Sequence, residues 1–270
     1  MTLMCLCGNT KADAKQEEPS APEGVTVQEI DSMTLITLRD DDGDKRMPNK
    51  LFYGEADSAR VDSLSPEGSV ASSVSCFIVE TGGKKILFDT GNGAKRGGKL
   101  LERMKSAGIS PEDIDIIMIT HFHGDHIGGL SIDGVPVFTR AELYVPETEF
   151  EAWCAMSNVG AKAAIDALGA YSGRLHRFGY QDTLPLGITA LAAPGHTPGH
   201  TVYRVGRLLI AGDLMHGFDL QIKDLTICPD YDMDRSRAVE SRRKYIDYVR
   251  QNNLVTAGMH FPGNGVKDSL

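Results

Sequence analysis

A mixed α/β fold, with hairpins in place of a strict strand–helix alternation, is what this sequence predicts. Three observations predict it. Short β-branched runs come in pairs, 25–30 with 33–38 and 74–80 with 85–89, each pair joined by a short polar turn. Helical spacing separates later strands, at 98–108, 147–157, 159–170 and 234–251. Apolar runs such as 114-IDIIMIT-120 then end abruptly in polar residues able to do chemistry.

In order along the chain, 25-VTVQEI-30 and 33-MTLITL-38 read as a hairpin and 40-DDDGDK-45 as a charged turn. The stretch 46–73 is rich in Ser, Pro and Gly and has no assignable period. The runs 74-VSCFIVE-80 and 85-KILFD-89, joined by 81-TGGK-84, form a second hairpin. Gly108 stops the helix 98–108, and Ser110 with Pro111 opens a helical turn at 110–114. Strands are expected at 114–120, 142–146, 174–178, 188–193, 201–205, 207–211 and 254–259, with the amphipathic helix 234–251 before the last. Neither repeats nor low-complexity blocks interrupt residues 25–270, which read as one domain.

Residues 1–24 stand outside that pattern. The opening 3-LMCLC-7 and its polar continuation are too short for a membrane span and carry no basic n-region. They read as an N-terminal tail or the remnant of an export signal, with a cysteine and a polar tether resembling a bacterial lipoprotein start. The expectation is an exported or lipid-tethered protein rather than a cytoplasmic one, without stable membrane insertion. With 28 Lys and Arg against 37 Asp and Glu, the net charge of −9 argues against nucleic acid as a partner. The five cysteines contain no CxxC pair and make no disulfide framework.

The chemistry gathers at 120-THFHGDHIGG-129. In extended chain, residues two apart face the same side, so His121 and His123 can grip one ion at a strand end. Gly124 lets the chain turn, and Asp125 and His126 can reach a second position. Nitrogen donors suit zinc, and a mixed Asp/His set suits a harder ion. Further candidates follow other apolar runs: His196 and His200 in 192-AAPGHTPGHTVY-203, Asp213 and His216 in 208-LLIAGDLMHG-217, and His260 in 257-AGMHFPG-263. Open sheets present functional groups at such strand ends.

The HxHxDH run, 88-FDTG-91 before it, 195-GHTPGH-200, 212-GD-213 and the late His260 resemble the metallo-β-lactamase superfamily of hydrolases. The motifs stand in the family's order over roughly residues 74–263. The resemblance implies a four-layer αββα sandwich with two divalent metal ions at one edge, zinc foremost, manganese or iron also compatible. It implies that His121, His123 and His196 bind one ion, that Asp125, His126 and His260 bind the other, and that Asp213 bridges them. Asp89 would hold a ligand imidazole from behind, and His200 would orient rather than ligate. Two metals roughly 3.5–4 Å apart share a water, lower its pKa and polarise the electrophile, so no Ser or Cys nucleophile is needed. Asp125 would also shuttle a proton to the leaving group.

His123 stands where redox-active diiron relatives carry Glu, which favours hydrolysis. Asp213 has no equivalent in true β-lactamases, and the cysteine ligand of many of those has no counterpart here. Both features point to a small ester, lactone or phosphotriester as substrate, in the branch of organophosphate hydrolases and quorum-quenching lactonases. A glyoxalase-type thioester hydrolase and a catalytically silent metal-binding member are the alternatives. His216 stands where the lactonases place a substrate-polarising Tyr and would donate a hydrogen bond to the carbonyl.

Two further stretches read as decoys. The loop 93-GAKRGGKL-100 approaches a P-loop, but Leu100 replaces the Ser/Thr that would hold Mg²⁺, so it reads as a flexible basic surface loop. The basic residues of 234-DRSR-237 and 241-SRRK-244 read as a solvated helix face.

Overall fold

The computed structural model describes residues 22–43, 45–54 and 58–270. Most of the expected N-terminal tail, residues 1–21, lies outside the described residues.

The larger sheet has seven strands in the order Val25–Ile30, Met33–Arg39, Ser75–Thr81, Lys84–Phe88, Ile116–Met118, Glu142–Pro146, Leu175–Phe178. Its first four are antiparallel, and the last three join in parallel. Both hairpins form at the expected places. The second turns through Gly82 and Gly83 at φ 57° and 73°, the doubly positive conformation that a tight two-residue turn requires. The smaller sheet orders Thr189–Ala192, Thr201–Val205, Leu208–Ile210, Val255–Ala257 and Val266–Lys267.

Three apolar layers hold four structural ones. Phe77, Val79, Ile86, Phe88 and Met118 meet Tyr203, Leu208, Ile210 and Ala257 between the sheets. The opposite face of the larger sheet packs Leu100, Met104, Ala161, Ala164 and Leu168 from helices Leu100–Ser106 and Val159–Gly169. Outside the smaller sheet, Val202, Leu209 and Ala211 pack Tyr245, Ile246 and Val249 of helix Arg235–Asn252. Each fully buried large apolar side chain contributes about 1.5–3 kcal/mol relative to exposure. The result is the αββα sandwich that the resemblance implied.

The stretch 46–73, which offered no period, forms the short hairpin Arg46–Pro48 with Ser69–Ala71 and the helix Ser58–Leu64. Its apolar residues Met47, Phe52, Val61 and Val70 pack against Leu220 and Ile227, far away in sequence, which is why no local pattern marks them. Strand 114–120 is paired only over Ile116–Met118, because the chain leaves the ladder to present its histidines.

The P-loop-like stretch is a correction in detail. Its glycines wrap the buried carboxylate of Asp40, which accepts Leu100 N–H (2.8 Å) and Asn92 N–H (2.7 Å). A Cβ on Gly91 would lie 2.5 Å from Asp40 Cγ. An internal carboxylate thus occupies this anion cradle, and Lys95 and Lys99 pair with Asp133 and Asp42.

Candidate metal centre

His121, Asp213 and His260 follow the C-terminal ends of strands Ile116–Met118, Leu208–Ile210 and Val255–Ala257, and His196 follows Thr189–Ala192. Backbone and phenol hydrogen bonds fasten the two sheets beside them: Thr201 N–H to Thr120 O (3.0 Å), Tyr203 OH to Ile119 O (2.6 Å) and Ser75 N–H to Met259 O (2.9 Å). Asp125 and His126 belong to the one-turn helix Gly124–Ile127. Gly124 opens that turn of helix, and a Cβ on it would meet only the end of the flexible Arg96 side chain.

The seven residues named as ligands converge in two groups. In the first, His123 Nδ1 lies 3.0 Å from His121 Nε2 and 2.8 Å from His196 Nε2, and the latter two are 3.2 Å apart. Three imidazole lone pairs turned on one point repel unless a cation sits among them. Tetrahedral zinc with bonds of about 2.0–2.1 Å would set its nitrogens about 3.3 Å apart. In the second group, His260 Nε2 is 3.5 Å from Asp125 Oδ2, and His126 Nε2 is 3.8 Å from Asp125 Oδ1. Asp213 reaches both groups. Its Oδ2 lies 3.2 Å from His196 Nε2, 3.6 Å from His121 Nε2 and 3.2 Å from His260 Nε2, and its Oδ1 lies 3.2 Å from His126 Nε2. Yet His126 Nε2 and Asp213 Oδ1 are buried and form no hydrogen bond. Buried polar atoms seldom stay unpartnered, so this donor set fits divalent ions.

The outward nitrogens are anchored, which fixes ring orientation and tautomer. His126 Nδ1 meets Asp89 Oδ2 at 2.7 Å, as expected of that carboxylate. Thr120 Oγ1 donates to Asp89 Oδ2 (2.7 Å) and therefore accepts from His121 Nδ1 (3.0 Å). His260 Nδ1 donates to Ser73 O at 2.7 Å. His196 Nδ1 meets Asp232 Oδ1 at 2.9 Å, a partner that the sequence did not reveal. His200 sits behind the centre: Nδ1 donates to Ala193 O (3.0 Å), and Nε2 accepts Asp213 N–H (2.9 Å). Gly212, at φ 53°, permits that approach, since a Cβ there would lie 2.4 Å from His200 Nε2.

The last helix corrects the reading of its basic face. Arg243 and Lys244 are exposed, but Arg242 is fully buried. Its guanidinium donates to Leu214 O (2.8 Å), Leu225 O (2.7 Å) and Ile227 O (3.1 Å) and pairs with Asp232 at 3.3 Å. Three charges in a row, Arg242 to Lys244, looked solvated because helical phase alone does not show which one turns inward. Glu149, also fully buried, was likewise missed, because 147-ETEFE-151 reads as an exposed helix start.

The electrostatics divide the histidines. Burial, with His196 nearby, pushes His123 down to about 3 and His200 down to about 3. Burial also pushes His216 down to about 4 against the pull of Asp213. Burial opposes charge on His196 too, but Asp213 and Asp232 hold it up to about 9. For Asp125, burial is outweighed by His126 and His260, which hold the carboxyl at about 2.

An open cleft of about 350 Å³ leads to the centre, lined by Lys45, Met47, His123, Asp125, His216 and Tyr231 among others. His216 Nε2 lies 3.1 Å from Asp213 Oδ2, and its ring stacks on His260 at 4.8 Å. A second groove of about 360 Å³ shares His123 and Gly124 and continues over Phe122, Ile127, Trp153, Ala163 and Ala167. Phe218 packs on Phe261 outside the smaller sheet.

A family model described as the metallo-beta-lactamase superfamily matches residues 70–260. Hydroxyacylglutathione hydrolase of Dechloromonas aromatica (strain RCB) is 29% identical over 141 residues, 52% of this chain but only 43% of that enzyme's length. N-acyl homoserine lactonase of Bacillus thuringiensis is 29% identical over 179 residues, 56% of this chain and 68% of the relative. Among solved structures, AidC, a dizinc quorum-quenching lactonase in complex with the product N-hexnoyl-L-homoserine, superposes with a TM-score of 0.82 at 26% identity, covering 90% of this chain and 92% of that one. No helix among the described residues is long and apolar enough to cross a membrane.

Proposed function

Because the chain belongs to the metallo-β-lactamase superfamily, we propose that it is a dinuclear metal-dependent hydrolase acting on a small lactone or ester that carries an apolar tail. The observation that carries this reading is Asp213, one buried carboxylate within 3.2–3.6 Å of the Nε2 atoms of four histidines drawn from both groups. In this reading His121, His123 and His196 would hold one ion, Asp125, His126 and His260 the other, and Asp213 would serve both. Two divalent ions held there, zinc foremost with manganese or iron also compatible, would supply Lewis acidity that activates water and polarises a carbonyl.

The chain's own residues do the rest. Asp125 faces the cleft as an ionised carboxylate; it takes the proton released on attack and passes it to the departing alkoxide. His216, neutral near pH 7, offers Nε2–H between Asp213 and an entering carbonyl. The groove over Phe122 and Trp153 favours an apolar chain beside the reacting centre. Support from the comparisons lies in the lactonases and in the thioester hydrolase among the relatives.

The test pairs elemental metal analysis with hydrolysis of acyl-lactones of rising chain length, aryl esters, glutathione thioesters, a paraoxon-type phosphotriester and a chromogenic β-lactam. Two ions per chain, with lactone or ester turnover that rises with chain length, is expected. Asp213→Asn should lose metal and more kcat/KM than the ~10–100-fold typical of an outer partner. Unchanged metal content and unchanged hydrolysis in that variant would sink the dinuclear reading.

A further inference from the structure

We infer that Glu149 is a positioning residue whose carboxylate clasps the two loops carrying His121, His123 and His196, and so sets the metal affinity of that group alone. The inference rests on the metal-binding reading above.

Glu149 lies in the first turn of helix Glu147–Ala155 and is fully buried. Its Oε1 accepts Phe122 N–H at 3.1 Å, from the peptide between His121 and His123. Its Oε2 accepts Thr197 Oγ1–H at 2.9 Å and Gly199 N–H at 2.8 Å, from the segment between His196 and His200. All three partners are donors, which matches an acceptor-only carboxylate. A buried acid without a cation beside it is costly, and none of its hydrogen bonds reaches Asp125, His126 or His260. Gly199 keeps the contact close, since a Cβ there would lie 2.3 Å from Glu149 N. One turn along the same helix stands Trp153, the chain's only tryptophan, its ring 5.7 Å from that of His123. Its fluorescence therefore reports on the first group.

The experiment titrates zinc into metal-depleted full-length protein, following Trp153 fluorescence and counting retained ions after dialysis. Glu149→Gln keeps the shape but turns one acceptor into a donor facing other donors. Thr197→Val removes a single hydrogen bond and spares the fold if the Gln variant does not fold. His196→Ala and His260→Ala provide reference behaviour for loss at each group. In E149Q the fluorescence midpoint should move to ~10–100-fold higher zinc, with one ion retained as in His196→Ala. Thr197→Val should move the same way by a smaller factor. Wild-type midpoints and two ions in both variants overturn the clasp, and so does equal loss at both groups. A wild-type chain that binds no ion overturns the metal reading itself, a result separable from either of these.

Discussion

Two buried carboxylates stand behind two imidazoles of the centre, and they are held differently. Asp89 follows strand Lys84–Phe88 in the left-handed region (φ 58°), and its other partners are neutral donors, the N–H and hydroxyl of Thr120. Asp232 lies on a loop preceding the last helix and has the buried cation Arg242 beside it. Their acidities diverge accordingly. Burial leaves Asp89 above the ordinary carboxylate range despite His126. For Asp232 burial is overcome by His196, His216 and Arg242, which hold it below that range. The same task, orienting an imidazole, is done once by a local turn and once by an ion pair spanning distant segments.

Breaking the ion pair should have the largest effect on stability. Arg242→Met takes the guanidinium from Asp232, leaving that buried carboxylate only the His196 imidazole, and should cost ~3–5 kcal/mol in urea denaturation. Its exposed neighbour Arg243→Ala should stay within ~0.5 kcal/mol, and equal costs for the two would erase the distinction between an inward and an outward arginine.

Acid should weaken the metal-depleted protein. His123, His200 and His216 fold with depressed pKa values of about 3, 3 and 4, and His121 is also lowered. Their contribution is present above the unfolded value of 6.5 and is lost as pH falls toward 4. His196, raised to about 9, and His126, also raised, act oppositely: their contribution is full below 6.5 and lost as pH rises through the folded value. Below about pH 6 the raised pair is protonated whether folded or unfolded and adds no slope, so stability should fall with acid through the four depressed histidines, by ~1.4 kcal/mol per pH unit for each. Melting temperatures that stay level from pH 6.5 to 5 would contradict these assignments.

The finest test exchanges the carboxylates. Asp232→Asn should weaken metal uptake at the His196 group and Asp89→Asn at the His126 group, each by ~10–100-fold. Trp153 fluorescence should move further in the first variant than in the second, where Asp89 reaches the first group only through Thr120 and His121.

The asymmetry between Asp89 and Asp232 also explains what could be read in advance. Asp89 sits in a turn beside the strand that ends in Thr120, so a short motif records it. Asp232 is 36 residues from His196 in sequence, and only the packing of Arg242 under Leu214 and Leu225 brings it inward. Glu149 is hidden for the same reason, because its partners lie 27 and 50 residues away.

The family resemblance implied the two layers of strands and which seven residues converge on the centre; by itself the sequence determined the hairpins, the long helices and the polar residues at the strand ends. These follow from local periodicity and from polar residues placed at strand ends. Tertiary structure alone decided which charges turn inward and what backs each imidazole. It also decided how 46–73 folds against 218–227 to build one wall of the cleft. Those choices depend on burial against distant segments, where an unpaired charge or hydrogen-bonding group is costly, and no short stretch of chain carries that information.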